Sequence, residues 1–235
     1  MIRYITQGLS LGLIYGVVAL GFVLIYKSSR ILNFAVGEFL LIGAYVAWTS
    51  RVIWHLPVWL CFFIVVVVAV ILGLVIERIA IRPLIGQPIL GIIMMTLALM
   101  VILRNVVLLN WGAIAKTYEP RLFPTAPFYL GHLVIRQEYV WGLVVAVLML
   151  VIFSCFFRFS KAGLAMRATS EDHQLARATG IRVKTVFAQS WAICAVVAGI
   201  AGIILASMTS VTLDLAALGL KSVAVVLVGG LESIH

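Results

Sequence analysis

The sequence predicts an all-α, polytopic transmembrane helix bundle, and three observations carry that prediction. Of 235 residues, 64% are hydrophobic and 11% are charged, too few polar residues to cover the surface of a soluble domain. The apolar residues gather in runs of about 20, the length at which a helix crosses a hydrocarbon core of ~30 Å. These runs lack the apolar/polar alternation of a barrel wall, so strands are a poor alternative. About seven spans are expected, in one transmembrane domain covering residues 1–235.

The first run, Gln7–Tyr26, is uncharged. It is too long for a signal-peptide core, and Lys27-Ser28-Ser29-Arg30 follows it in place of a small-residue cleavage site, so it reads as an uncleaved span. Ile31–Ser50 carries a single charge, Glu38, and Val58–Ile76 carries none. Pro88–Leu109 is interrupted by Arg104, which reaches the outer interface by snorkelling. Tyr139–Phe157 and the longer Thr185–Leu213 are uncharged, and a seventh run begins near Leu215. Pro57 and Pro88 fall at span starts, where a missing N–H is not needed.

Lipid tails are as apolar as leucine, so spans associate through close packing of small residues. Gly8, Gly12 and Gly16 form such a stripe on span one. Ala198, Gly202 and Ala206, with Ala195 and Gly199 beside them, form another on span six, and Ala69/Gly73 and Gly142/Ala146 give shorter ones. All are expected to be packing surfaces.

The net charge of +9 is distributed by loop. Lys27, Arg30, Arg78, Arg82, Arg158, Lys161, Arg167, Arg177, Arg182 and Lys184 fall in alternate connections. The other connections and the N-terminus hold half as many: Arg3, Arg51, Lys116, Arg121 and Arg136. The positive-inside rule places the first set in the cytoplasm and the N-terminus outside. This alternation argues against nucleic acid as a partner.

Cys61, Cys155 and Cys194 lie in three separate apolar runs with no ligand spacing, and read as small buried hydrophobes. His55, His132, His173 and His235 fall in loops or at the end, so no Ser/His or metal constellation is visible. No catalytic residue, metal site or cofactor is expected. A charge inside the bilayer is costly and needs a partner, a cavity or the interface. Glu38, roughly 10 Å inside a helix that Asn33 can cap, therefore has either a structural hydrogen-bonding role or a place along a solute path. Asp214 and Lys221 share a helix face and are expected to form a local ion pair.

Phe159–Lys184 is polar and, in this topology, cytoplasmic. It encodes a short helix over Ser170–Thr179. Thr169 or Ser170 can N-cap it, Glu171 and Asp172 suit its first turn, and Arg177 suits its last. Gly180 can take the left-handed position after it, with Ile181 folding back onto Leu175 and Ala176. Such a helix is either a docking element for a soluble partner or a surface helix held by anionic lipid.

The residues of this loop carry a resemblance. Phe159-Ser160-Lys161-Ala162-Gly163-Leu164-Ala165-Met166-Arg167-Ala168, then Ser170-Glu171-Asp172, then Ala176-Arg177-Ala178-Thr179-Gly180-Ile181 resemble the coupling-helix region of the branched-chain amino acid ABC transporter permeases. Leu32-Asn33-Phe34-Ala35-Val36-Gly37-Glu38 looks like their second-span motif, and Glu77-Arg78-Ile79-Ala80-Ile81-Arg82-Pro83-Leu84 like their loop after span three. Gly219-Leu220-Lys221 with Val228-Gly229-Gly230-Leu231 looks like their late glycine motif. The four segments are collinear from about residue 5 to residue 235. Val36 stands where the family often has histidine, so no polar role is carried to that position. Family members continue beyond the glycine motif, so the chain is expected to be C-terminally incomplete.

The resemblance implies the permease subunit of an ATP-driven importer in the bacterial inner membrane. Its substrate would be a branched-chain or related amino acid, with urea and short amides as the alternative within the same family. It implies as partners a second homologous permease subunit, two cytoplasmic ATPase subunits and a periplasmic substrate-binding protein, besides membrane lipid. The chain has no G-x-x-x-x-G-K-[ST] loop, so ATP would be bound by partner chains. Arg167, Ser170, Glu171, Asp172, Ala176, Gly180 and Ile181 are the expected coupling residues, in a coupling loop at about 159–184. Asn33, Phe34, Gly37 and Glu38 are the candidates for the translocation path. An ion-coupled secondary carrier is the rival outside the family; it needs intramembrane ionisable groups and often an internal repeat, and only Glu38 qualifies.

Overall fold

The computed structural model describes residues 2–29, 32–85, 87–124, 127–130, 133–171, 176 and 178–229. The chain starts with α1 (Ile2–Ser29) and α2 (Val36–Trp48), the latter ending in a π-helical turn over Thr49–Ile53. α3 (Val58–Ile76) runs on through a π-turn (Glu77–Ile81) and a 3-10 turn (Arg82–Leu84), and α4 (Ile89–Trp111) follows. Next come β1 (Pro127–Leu130), β2 (Leu133–Arg136), α5 (Gln137–Phe159) and α6 (Lys161–Glu171). α7 (Val183–Met208) and α8 (Leu215–Gly229) complete the described residues. The prolines act at span starts as expected: Pro57 and Pro88 are extended residues immediately before α3 and α4. Gly112, at a φ of 76°, ends α4.

Val36–Ile53, Val58–Leu84, Ile89–Trp111, Gln137–Phe159 and Val183–Met208 are long and apolar enough to cross a membrane, and Leu11–Tyr26 and Leu215–Gly229 are shorter apolar helices. All seven fall on the runs read from the sequence. The antiparallel hairpin β1–β2, with Pro127 opposite Arg136, is the one departure from helical elements among the described residues.

α7 is the hub. It packs on α1, α2 and α3, and 83% of its spanning window is buried, against 22–28% for α3, α4 and α5. On α3, Cys61, Val65, Ala69 and Gly73 face inward while Trp59, Phe63, Val67 and Ile71 are exposed. Both faces are apolar, the signature of a helix whose outer solvent is hydrocarbon.

The small residues of α7 do the work expected of them. A Cβ on Gly43 of α2 would fall on the Gly199 backbone, and one on Gly202 would fall on the Leu40 carbonyl. Gly73 sits against the Trp191 and Ala192 backbone, and Gly142 against Met208 and Ile204. Span one is different. Gly8, Gly12 and Gly16 have no atom within 4 Å of a Cβ built on them, and Gly8 and Gly12 are exposed. Among the described residues nothing packs on this stripe, and α1 meets α7 through buried residues between Ile14 and Ile25. Asp214 and Lys221 are both exposed, and no ion pair joins them. Asp214 precedes α8, which starts at Leu215, and Lys221 lies nearly two turns on, so the spacing read from the sequence does not bring their side chains together.

Candidate functional site

Two places combine polar chemistry with helix ends. The first is the start of α2. Residues 32–35 are not helical, and they enter the bundle far enough for the Leu32 carbonyl to accept a 3.4 Å hydrogen bond from Thr96 Oγ1, seven residues into α4. Asn33 does not cap the helix as expected. Its Oδ1 accepts the N–H of Ala35 at 3.0 Å in a local turn, and Ala35 is the residue before the helix. α2 therefore begins inside the bundle, and Glu38 occupies its first turn, where the helix dipole favours a carboxylate.

Glu38 is 1% exposed, and its Oε2 has no hydrogen-bond partner among the described residues. Asn33 Nδ2, Trp191 Nε1 and Ser222 Oγ are also buried without partners. These atoms belong to elements that meet at this spot. Gly219 of α8 would place a Cβ 2.8 Å from Gly37 Cα, Ser222 lies one turn further along α8, and the Trp191 ring meets Phe39 edge to face at 6.3 Å. Buried polar groups are normally satisfied, so these unpaired ones single out the start of α2 as a candidate site. Asn33, Gly37 and Glu38 are brought together there, with Phe34 half-buried beside them. Trp191 and Ser222 were missed in the sequence, because a lone Trp or Ser in an apolar run carries no periodic signal.

The second place is the segment 160–181. An additional helix, α6, starts nine residues before Ser170. Ser160 is its cap, its Oγ accepting the Gly163 N–H at 2.8 Å. Thr169 and Ser170 lie in the last turn of α6, where Thr169 Oγ1 donates to the Ala165 carbonyl at 2.7 Å; most of the helix expected over Ser170–Thr179 lies outside the described residues. The far end is as expected. Gly180 has a φ of 86°, and the Ile181 N–H donates to the Ala176 carbonyl at 3.0 Å, the long bond of a Schellman closure. Ala176 is buried and Gly180 exposed. Arg167 folds back on α5, with its guanidinium 5.8 Å from the Phe157 ring and Nη2 donating to the Arg158 carbonyl at 3.4 Å. The side chains of Ser170 and Glu171, and the whole of Asp172, lie outside the described residues.

Sequence comparison relates the chain as a whole to known proteins. The family model described as "Branched-chain amino acid transport system / permease component" matches residues 4–235. The chain belongs to this permease family. The permease is 29% identical over 245 residues to the high-affinity branched-chain amino acid transport system permease protein LivH of Escherichia coli K12, covering 97% of this chain and 78% of that protein. It is 26% identical over 254 residues to the corresponding protein BraD of Pseudomonas aeruginosa, covering 99% and 80%. It is 31% identical over 226 residues to a branched-chain amino acid transport permease, LivH, of Methanocaldococcus jannaschii, covering 92% and 70%. No solved structure matches. The permease is thus a multi-pass inner-membrane transport subunit and not itself an enzyme.

Proposed function

We propose that this permease carries branched-chain or related small amino acids through an ATP-driven importer, receiving the force of ATP hydrolysis at residues 160–181. The observation that carries this reading is mechanical. α6 packs on α1, α5 and α7, and the Gly180 turn leads directly into α7, the helix around which the bundle is built. A push on this segment tilts the hub. The importer would contain a second homologous permease, two cytoplasmic ATPase subunits that bind the ATP, and a periplasmic substrate-binding protein. The basic residues flanking α6 support a cytoplasmic position for it.

In this reading the start of α2 borders the translocation path. Gly37 and Gly219 let α2 and α8 approach backbone to backbone, so a tilt of α7 and α8 opens Glu38, Asn33 and Ser222 toward the solute. Urea and short amides remain the alternative cargo of the same machine.

The experiment is an uncoupling assay on the assembled transporter. Gly180→Val forbids the left-handed turn and Glu171→Arg reverses charge at the end of α6. Both are expected to insert and assemble normally while substrate-stimulated ATP turnover falls. A lipid-held surface segment instead predicts little effect from either, and a clear loss when Arg177 and Arg182 are neutralised. Wild-type transport by both helix variants overturns the coupling role.

A further inference from the structure

At the opposite end of the bundle from α6, separated from it by the full length of α5, lies a cavity of about 120 Å³. Its walls are the loop 117–123, the first turn of α5 and the last turn of α7. We infer that this cavity is a subsite for the zwitterion of a small α-amino acid.

The loop forming it is built in, not draped. Lys116 and Val211 exchange two backbone hydrogen bonds of 3.0 and 2.8 Å. Trp48 Nε1 donates to the Thr117 carbonyl at 3.0 Å, and Arg51 Nε to the Pro120 carbonyl at 3.2 Å. The fully inserted Tyr118 donates its hydroxyl to the Ala44 carbonyl of α2 at 2.9 Å, and burial pushes its phenol well above the ordinary range, so it stays a donor.

Both signs of charge line the cavity. Arg121 Nη1 donates to Glu138 Oε1 at 2.7 Å; the Glu138 side chain is 3% exposed and that of Arg121 57%. Glu138 therefore anchors the guanidinium from below, leaving Nη2 and Nε of the fork for an incoming carboxylate. A complementary charge also lines the cavity. Glu119 adds a carboxylate, and α7 ends at Met208, so the carbonyls of Ala206, Ser207 and Met208 have no amide donor one turn on. A helix C-terminus and a carboxylate together suit an ammonium group. Leu122 and Phe123, both buried, supply an apolar wall for a side chain. A dry cavity of 150 Å³ holds benzene, so 120 Å³ holds a solute of about that size, with its remainder in the open mouth. Urea and simple amides have no separated charges to use these walls. The inference rests on the transport reading only in placing the cavity on the side where solute arrives.

The test is equilibrium binding to the full-length permease, assembled with its partner subunits in lipid nanodiscs and without the substrate-binding protein. L-leucine, leucinamide and 4-methylpentanoate serve as probes, followed by saturation-transfer NMR. Leucine is expected to bind about tenfold or more tightly than leucinamide, which lacks the carboxylate, or 4-methylpentanoate, which lacks the ammonium. Arg121→Gln should weaken leucine binding by a similar factor. Because that change also breaks the pair with Glu138, Glu119→Gln and the cavity-filling Ser207→Phe are read beside it, with melting temperature as the control for folding. Equal binding of the three probes, no binding of any, preference for urea, or unchanged leucine binding in both Glu119→Gln and Ser207→Phe each overturns the subsite. None of these outcomes touches the coupling assay, which reads ATP turnover at the other end of the molecule.

Discussion

Gly43 and Gly199 meet backbone to backbone, and Gly202 lies against the Leu40 carbonyl, so the α2–α7 crossing has no room for a methyl group. Gly202→Ala is expected to destabilise the permease by about 1–3 kcal/mol, read as a lower melting temperature in detergent. Gly12→Leu is the control: nothing lies within 4 Å of its Cβ position, so the same melting temperature should be unchanged. A loss seen for Gly12→Leu only in the assembled complex would assign that stripe to a neighbouring subunit. These two stripes look alike in the sequence, because four-residue spacing reveals a small face without revealing what touches it. Glu38 was legible for a different reason: a charge in an apolar run is conspicuous by itself. Glu38→Gln keeps shape and size, so it should leave the amount of folded protein unchanged while slowing transport. Full transport by that variant would remove Glu38 from the path.

Elements were easier to read than their ends. Each long apolar run became a helix because hydrocarbon forces a backbone to satisfy itself internally. α2 starts two residues later than an Asn33 cap implies, since Asn33 binds the nearby Ala35 N–H and holds residues 32–35 out of the helix. The sequence reading began the cytoplasmic segment at its Ser170-Glu171-Asp172 cap signal and did not see α6 ahead of it, which is held by its Ser160 cap and by packing of Met166 on the bundle. Ser160→Ala should cost about 1 kcal/mol locally, visible as faster hydrogen exchange at the amides of residues 161–164. Unchanged exchange there would mean that α6 is held by packing alone. The β1–β2 hairpin was not legible, because Pro127–Leu130 and Leu133–Arg136 are four residues each, too short to show a period. Gly180 was read correctly because a glycine after a polar helix has few other uses.

At the scale of the whole molecule, the permease links two ends: a polar segment at the base of α7 and a charged cavity at its tip, with a buried polar cluster between them. Composition alone made the membrane legible, and collinear motifs made the family legible. The cavity was not, since its residues lie far apart in the chain and meet only through the tertiary fold. The orientation has its own test. A reporter fused after Arg82 or Arg167 should read cytoplasmic and one placed in Lys116–Thr125 periplasmic; reversed signals at the two basic sites would exchange the ends and remove the coupling role. The central claim, that ATP and not an ion gradient moves the solute, is tested most directly by labelled-leucine uptake into proteoliposomes. These would carry the assembled transporter with ATP on the α6 side and the substrate-binding protein on the other. Uptake should continue when a protonophore collapses the proton gradient and stop when ATP is withdrawn. Uptake that fails with the gradient while ATP remains would contradict the account and favour an ion-coupled carrier.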